Sequence, residues 1–417
     1  MVTKIDYKKF TERVWRLIFT QGILMVINFL LSILTTRWLG PIGKGEQSIA
    51  ATVYSLGVQF GILGLHSAHT YYLSRDRNNL SYVLGNSIFV SLVAGIIFGI
   101  LAFMIKYINP SYLPIDNLLL LASSIMTPVQ LLYTFQINTL IAVNETKLRN
   151  FLDILNVVLC LGFVIAVQYM NGLSPLKLLL INIGVAMILL EVSYIYIRTK
   201  CKSVPHISFL FLKKVLPYGL AAQLSCLIAY LLLRVDILMI SHMLGNEQTG
   251  IYSLAVNLAD LLTVISTSTS TLLFPVASAC GDNGERIEFV NKNCISLFKI
   301  LVICSVLMII AAPIGIPLVY GKEYTASVKP FLILLPGVIA WGMVSVITNY
   351  FSAIKNFRYQ LIAIGIALVC NLSLNNFLIA KIGIGGAALA SSISYIIAFL
   401  ILWYRFYQDK KICHEEI

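Results

Sequence analysis

Charge is what this chain has least of. Asp, Glu, Lys and Arg make up 12% of its 417 residues, against 59% hydrophobic. Soluble globular proteins carry roughly 25% charged residues. Half that share cannot cover a water-facing surface of this size, which argues against a soluble enzyme, a nucleic-acid binder or a disordered chain. Long polar stretches are missing too: the two longest run from about 198 to 214 and from about 277 to 292, too short for a folded domain. Metal-binding patterns are absent. Eight cysteines are present, with no Cys-x-x-Cys and no Cys/His grouping at ligand spacing, so neither a metal nor another cofactor is expected. Gly40-Pro41-Ile42-Gly43-Lys44-Gly45 looks phosphate-friendly, but lacks the spacing of a phosphate-binding loop and follows an apolar run instead of a strand. There is no nucleophile elbow. The first 16 residues are polar and basic, and the apolar run after them has spanning length, so no cleavable leader is expected.

What is present is apolar sequence in spanning lengths. A membrane helix needs about 20 such residues. Twelve spans are predicted, at about 17–36, 47–73, 82–105, 117–142, 151–170, 175–197, 215–241, 249–275, 295–320, 330–354, 359–380 and 384–404. The predicted fold class is all-α, a polytopic membrane protein of two six-helix bundles, residues 1–208 and 209–417. With the N-terminus inside, 21 of the 30 Lys and Arg fall on the cytoplasmic side and seven on the outer side, leaving Arg234 and Lys299 within spans. Basic residues collect in cytoplasmic loops, so both termini are expected in the cytoplasm. The net charge of +12 then follows from this bias and calls for no nucleic acid.

The chain repeats itself. Leu39-Gly40-x4-Gly45-x2-Ser48-x-Ala50 recurs as Leu244-Gly245-x4-Gly250-x2-Ser253-x-Ala255, each pair 205 residues apart. Pro128 and Pro336 are 208 apart, and Arg149 and Arg358 are 209 apart. A duplicated unit of six helices preserves orientation, so its halves should be related by an axis along the membrane normal. Pro128 and Pro336 interrupt spans four and ten at matching positions, either as hinges of moving helices or as static kinks.

Ionisable groups inside spans are costly, by about 2.5–3.5 kcal/mol at the centre on the insertion scale. Arg234 and Asp236 lie in span seven, and Asp260 lies 11 residues into span eight. Two residues apart, Arg234 and Asp236 project on nearly opposite helix faces and should not pair. Arg234 either faces a central cavity or forms an ion pair with Asp260; Asp236 and Asp260 either carry a coupling cation or serve structural pairing. Asn28, Gln130, Asn371 and Asn375 are buried polar candidates for the cavity, with interhelical hydrogen bonding as the alternative.

Arg37-Trp38-Leu39-Gly40-Pro41-Ile42-Gly43-Lys44-Gly45 resembles the segment after the first helix of polysaccharide transporter family flippases. The run Arg234-Val235-Asp236-Ile237-Leu238-Met239, with Leu244-Gly245 and Gly250-Ile251-Tyr252-Ser253-Leu254-Ala255, is similar to that family's pattern around span seven. Ile42 and Lys44 depart from it, standing where an acidic and an aromatic or apolar residue are common. The resemblance implies a non-enzymatic flippase of the multidrug/oligosaccharidyl-lipid/polysaccharide exporter superfamily, in a bacterial inner membrane. It implies transfer of undecaprenyl-pyrophosphate-linked repeat units of O-antigen, capsule or exopolysaccharide to the outer leaflet by alternating access. Implied partners are the lipid-linked oligosaccharide, membrane lipids, and a polymerase and glycosyltransferases of the same pathway. A cation-coupled multidrug exporter of the same fold would need a clear acidic pocket. A polysaccharide polymerase or ligase would need a large outer loop, which this chain lacks.

Overall fold

The computed structural model describes residues 7–201, 204–280, 282–354 and 356–415. Lys4 and the side chains of Lys8, Lys9, Arg13 and Arg16, from the basic N-terminus, lie outside the described residues, as do the side chains of Cys201 and Cys413. The described chain is helical with no strands. Eleven α-helices follow one another: α1 Tyr7–Gly61, α2 Leu65–Arg75, α3 Leu80–Ile108, α4 Asn117–Ala142, α5 Thr146–Asn171, α6 Pro175–Cys201, α7 Phe209–Ala279, α8 Asn283–Tyr320, α9 Val328–Ala353, α10 Arg358–Ile382 and α11 Ile384–Glu415. In lipid a helix satisfies its own backbone, which is why apolar sequence of this length takes no other form. The protein is a multi-pass membrane protein: ten helices among the described residues are long and apolar enough to cross.

Two of those ten are too long for one crossing. Helix α1 has 55 residues and α7 has 71, while a hydrocarbon core about 30 Å thick takes about 20. Each is two helices joined at a glycine, Gly40 (φ 65, ψ 177) and Gly245 (φ 82, ψ −179). A side chain in this conformation would clash with the backbone, so glycine is needed at both places. Pro41 then restarts the helix with φ already fixed and no amide to satisfy. Counting each of the two as a pair of crossings reconciles the ten long helices with the twelve predicted spans.

Span two is not continuous. It was expected to run from about 47 to 73, yet α1 ends at Gly61 and α2 begins at Leu65. Leu63 (φ 49) and Gly64 (φ 69) are left-handed between them. A β-carbon on Gly64 would lie 2.0 Å from the Gly219 carbonyl oxygen, so a close backbone approach holds the break. Helices α4 and α9 each continue through their proline, Pro128 and Pro336.

The chain forms two compact units. One holds residues 1–39, 53–104 and 116–221; the other holds 40–52, 105–115 and 222–417. The core of the first joins α2 to α6 through Leu73, Leu84, Ile137, Leu152, Val185 and Leu189. A second cluster there brings Val58, Leu65, Leu131, Phe135, Phe211 and Val215 together. Pro128 packs against α3, where a β-carbon on Gly95 would lie 2.7 Å from its ring. In the second unit α11 packs closely on α9 and α10 through small residues: a β-carbon on Gly337 would meet the Ser392 Cα at 2.4 Å, and one on Gly386 the Leu378 carbonyl oxygen at 2.2 Å.

Candidate functional site

The charged spans meet in the second unit. Arg234 and Asp260 lie on the two arms of α7, on either side of Gly245. At 1.5 Å per residue they lie about 16 and 22 Å along their helices from that turn, well inside the two crossings. Their side chains pair, with Arg234 Nη2 donating to Asp260 Oδ2 at 2.6 Å. The pair is not sealed: 26% of the Arg234 side chain and 33% of the Asp260 side chain stay exposed.

Asp236 points elsewhere, as the two-residue spacing requires. It is 1% exposed and pairs with no described basic group. Its carboxylate accepts hydrogen bonds from the Tyr252 hydroxyl, the Ser391 hydroxyl and the Ile237 amide. The chain of bonds continues outward: Asn371 Nδ2 donates to Ser391 Oγ at 3.3 Å, and Asn375 Nδ2 donates to Asn371 Oδ1 at 2.8 Å. Asn371 and Asn375, one turn apart on α10, are fully buried, and the Asn375 Oδ1 has no partner. The result is an acceptor-rich interior fed by three helices, with a narrow cavity beside it lined by Asp236, Asp260, Trp341 and Tyr395.

Sequence reasoning named Arg234, Asp236, Asp260, Asn371 and Asn375, and the structure brings these five into one region. Tyr252, Ser391, Trp341 and Tyr395 were missed. Ser391 sits in a run of small residues and gave no signal beyond its place near the end of the chain. Tyr252 lies inside the repeated motif, where it reads as part of the repeat.

Asn28, Gln130 and Pro128 belong to the first unit, and Pro336 to the second. Asn28 is exposed and returns its amide to Leu24 O on its own helix at 2.9 Å. Gln130 is half-buried in α4. Among the described residues no three His, Cys, Asp or Glu side chains converge.

The two repeat copies share the second unit and pack on one another. A β-carbon on Gly45 would lie 1.8 Å from the Asn246 carbonyl oxygen, and one on Gly250 would lie 1.9 Å from the Pro41 carbonyl oxygen. The fifth residue after each hinge glycine therefore meets the first residue after the other. This is the reciprocal pattern of a twofold contact.

A family described as polysaccharide biosynthesis protein has a model that matches residues 33–329. Curated relatives include a Haloferax volcanii protein provisionally named a low-salt glycan biosynthesis flippase, 26% identical over 46% of this chain and 41% of that protein. Another is a Shigella flexneri protein provisionally named an O-antigen transporter, 26% identical over 51% of each chain. The matched stretch spans about half of these relatives or less. Among solved structures, the lipid II flippase MurJ in an inward closed conformation superposes with a TM-score of 0.76 at 14% identity, over 94% of this chain and 89% of that one. An inward-facing multidrug resistance transporter of the MATE family gives 0.69 at 18% identity, over 94% and 99%. The likeness to these structures is one of fold.

Proposed function

Because the chain belongs to the polysaccharide biosynthesis protein family, we propose that it moves undecaprenyl-diphosphate-linked oligosaccharide repeat units from the cytoplasmic to the outer leaflet. Transport proceeds by alternating access in a bacterial inner membrane, with both termini in the cytoplasm. The observation that carries the reading is the Arg234–Asp260 pair inside the crossings, with about a third or less of each side chain exposed. A guanidinium has five N–H donors. Asp260 takes one of them, and the remainder suit the oxygens of a diphosphate, whose desolvation a fixed cation offsets. Between cargoes Asp260 holds the guanidinium in place. The polyprenyl tail stays in lipid while the head crosses. Within the first unit, Asn28 and Gln130 are neutral hydrogen-bonding groups suited to sugars, and Pro128 and Pro336 each leave their helix one backbone bond short, as a hinge would need.

Asp236 supplies the coupling. A buried carboxylate that accepts from two hydroxyls, at the end of a bonded chain whose far member Asn375 has an unused amide oxygen, suits a proton or an alkali cation better than a cargo. This feature also favours the second reading, a cation-coupled multidrug exporter, to which the fold is similar. Liposomes holding the protein and a fluorescent lipid-linked oligosaccharide separate the two. Crossing of the labelled headgroup supports the flippase. Export of organic cations with no headgroup crossing would replace it with the exporter.

A further inference from the structure

Lys44 lies at the contact between the two repeat copies, next to Gly45. It is 5% exposed, and its ammonium donates to the neutral Gln47 Oε1 at 2.8 Å. No described carboxylate pairs with it; burial alone acts on its charge. An ammonium removed from water without an opposite charge is unfavourable.

The fold itself has no need of this charge. The repeat places Thr249 at the matching position of the second copy, equally buried, with its hydroxyl bonded to Gly245 O at 2.8 Å. A small neutral residue thus serves one copy where a cation stands in the other. A second polar group at the contact is also unsatisfied. Asn246 gives its amide to Pro114 O at 2.7 Å, but its Oδ1 is buried without a partner. The contact is close through two glycines, yet it leaves a charge and an acceptor poorly solvated. Such a surface closes tightly and gains by opening.

We propose that the paired turns at Gly40–Gly45 and Gly245–Gly250 form the outer gate of the pathway, closed in this structure, and that Lys44 is its anion contact, uncovered on opening and bound by the phosphate groups of a lipid headgroup. The proposal rests on the flippase reading only for the identity of the pathway and for the outer side. Arg234 takes the anion inside the crossings. Lys44 takes it at the exit, where two successive weak holds let cargo leave.

The test is hydrogen exchange of the full chain in phosphatidylcholine nanodiscs, read on peptides covering residues 40–52 and 245–256, with undecaprenyl diphosphate as the probe. The probe should speed exchange of both peptides about tenfold, the scale of one charge-assisted hydrogen bond, and neutral undecaprenol should not. Lys44→Thr, copying Thr249, should keep the unliganded protection and lose the response; Lys44→Arg should keep both. Should Lys44→Thr lose its protection without probe, Lys44→Met, which retains the aliphatic stem, takes its place. Phosphatidylglycerol nanodiscs without probe form a second arm: a Lys44-dependent response there assigns the anion to bulk lipid. A neutral variant that responds like the wild type, or a wild type that does not respond, overturns the proposal. Headgroup crossing in liposomes is scored separately. Crossing without any exchange response removes Lys44 and leaves the flippase; an exchange response without crossing keeps the anion contact and removes the flippase.

Discussion

Gly40 and Gly245, 205 residues apart, hold the same backbone conformation, with φ of 65 and 82 and ψ within a few degrees of 180. Each ends one crossing and starts the next. A pattern of residues repeated in the sequence is here repeated as geometry, and the two turns then pack on one another. Replacing either glycine with alanine places a β-carbon in a left-handed conformation, at a cost of about 1–2 kcal/mol. Gly40→Ala and Gly245→Ala should each lower the thermal midpoint in detergent, whereas Gly22→Ala, where a β-carbon meets open space, should not. Equal midpoints in all three would mean that the turns tolerate side chains.

The Arg234–Asp260 pair admits a test that separates cargo binding from packing. Arg234→Ala and Asp260→Ala should each cut headgroup translocation by about tenfold or more, the scale of a lost charge-assisted bond. The exchanged pair, Arg234→Asp with Asp260→Arg, should restore the amount of folded protein without restoring transport. Full transport by the exchanged pair would assign the two residues to architecture alone.

Asp236→Asn preserves shape and can still accept from Tyr252 and Ser391. The variant should accumulate normally, bind lipid-linked oligosaccharide, and lose the response of transport to an imposed ion gradient. Ser391→Ala removes one donor and should weaken that response less. A gradient response unchanged in Asp236→Asn would remove the carboxylate from coupling.

Gly45→Ala and Gly250→Ala place a methyl group within 2 Å of a facing carbonyl oxygen. Neither backbone can accept that distance, so the contact must separate. Exchange of both turns should rise without any ligand, and transport should fall because one side no longer closes. Protection equal to the wild type would show that the helices shift without opening.

Much of this could be read from local sequence. Apolar length revealed the crossings, because solvation in lipid is a property of each residue in turn. The same cost marked Arg234, Asp236 and Asp260. The spacing rule separated Arg234 from Asp236 correctly. Other features escaped. The break at residues 62–64 depends on the Gly219 backbone, about 155 residues later in the chain, and Leu63 carries no sign of its left-handed turn. Pro128 and Pro336 suggested interruptions, yet α4 and α9 each continue past them as one helix. Ser391 looks like any other serine among small residues, yet it bonds to Asp236 across 155 positions.

The sequence by itself determined that this is a membrane protein, where its crossings lie, that six of them are repeated, and which charges demand an explanation. These follow from transfer energies and helical rise, which act within a few residues. Tertiary structure alone decided that Arg234 pairs with Asp260, that Asp236 meets Tyr252 and Ser391, and that Gly45 and Gly250 close on each other's partner carbonyls. Each of these depends on which helix faces meet, and packing sets those faces between residues far apart in the chain.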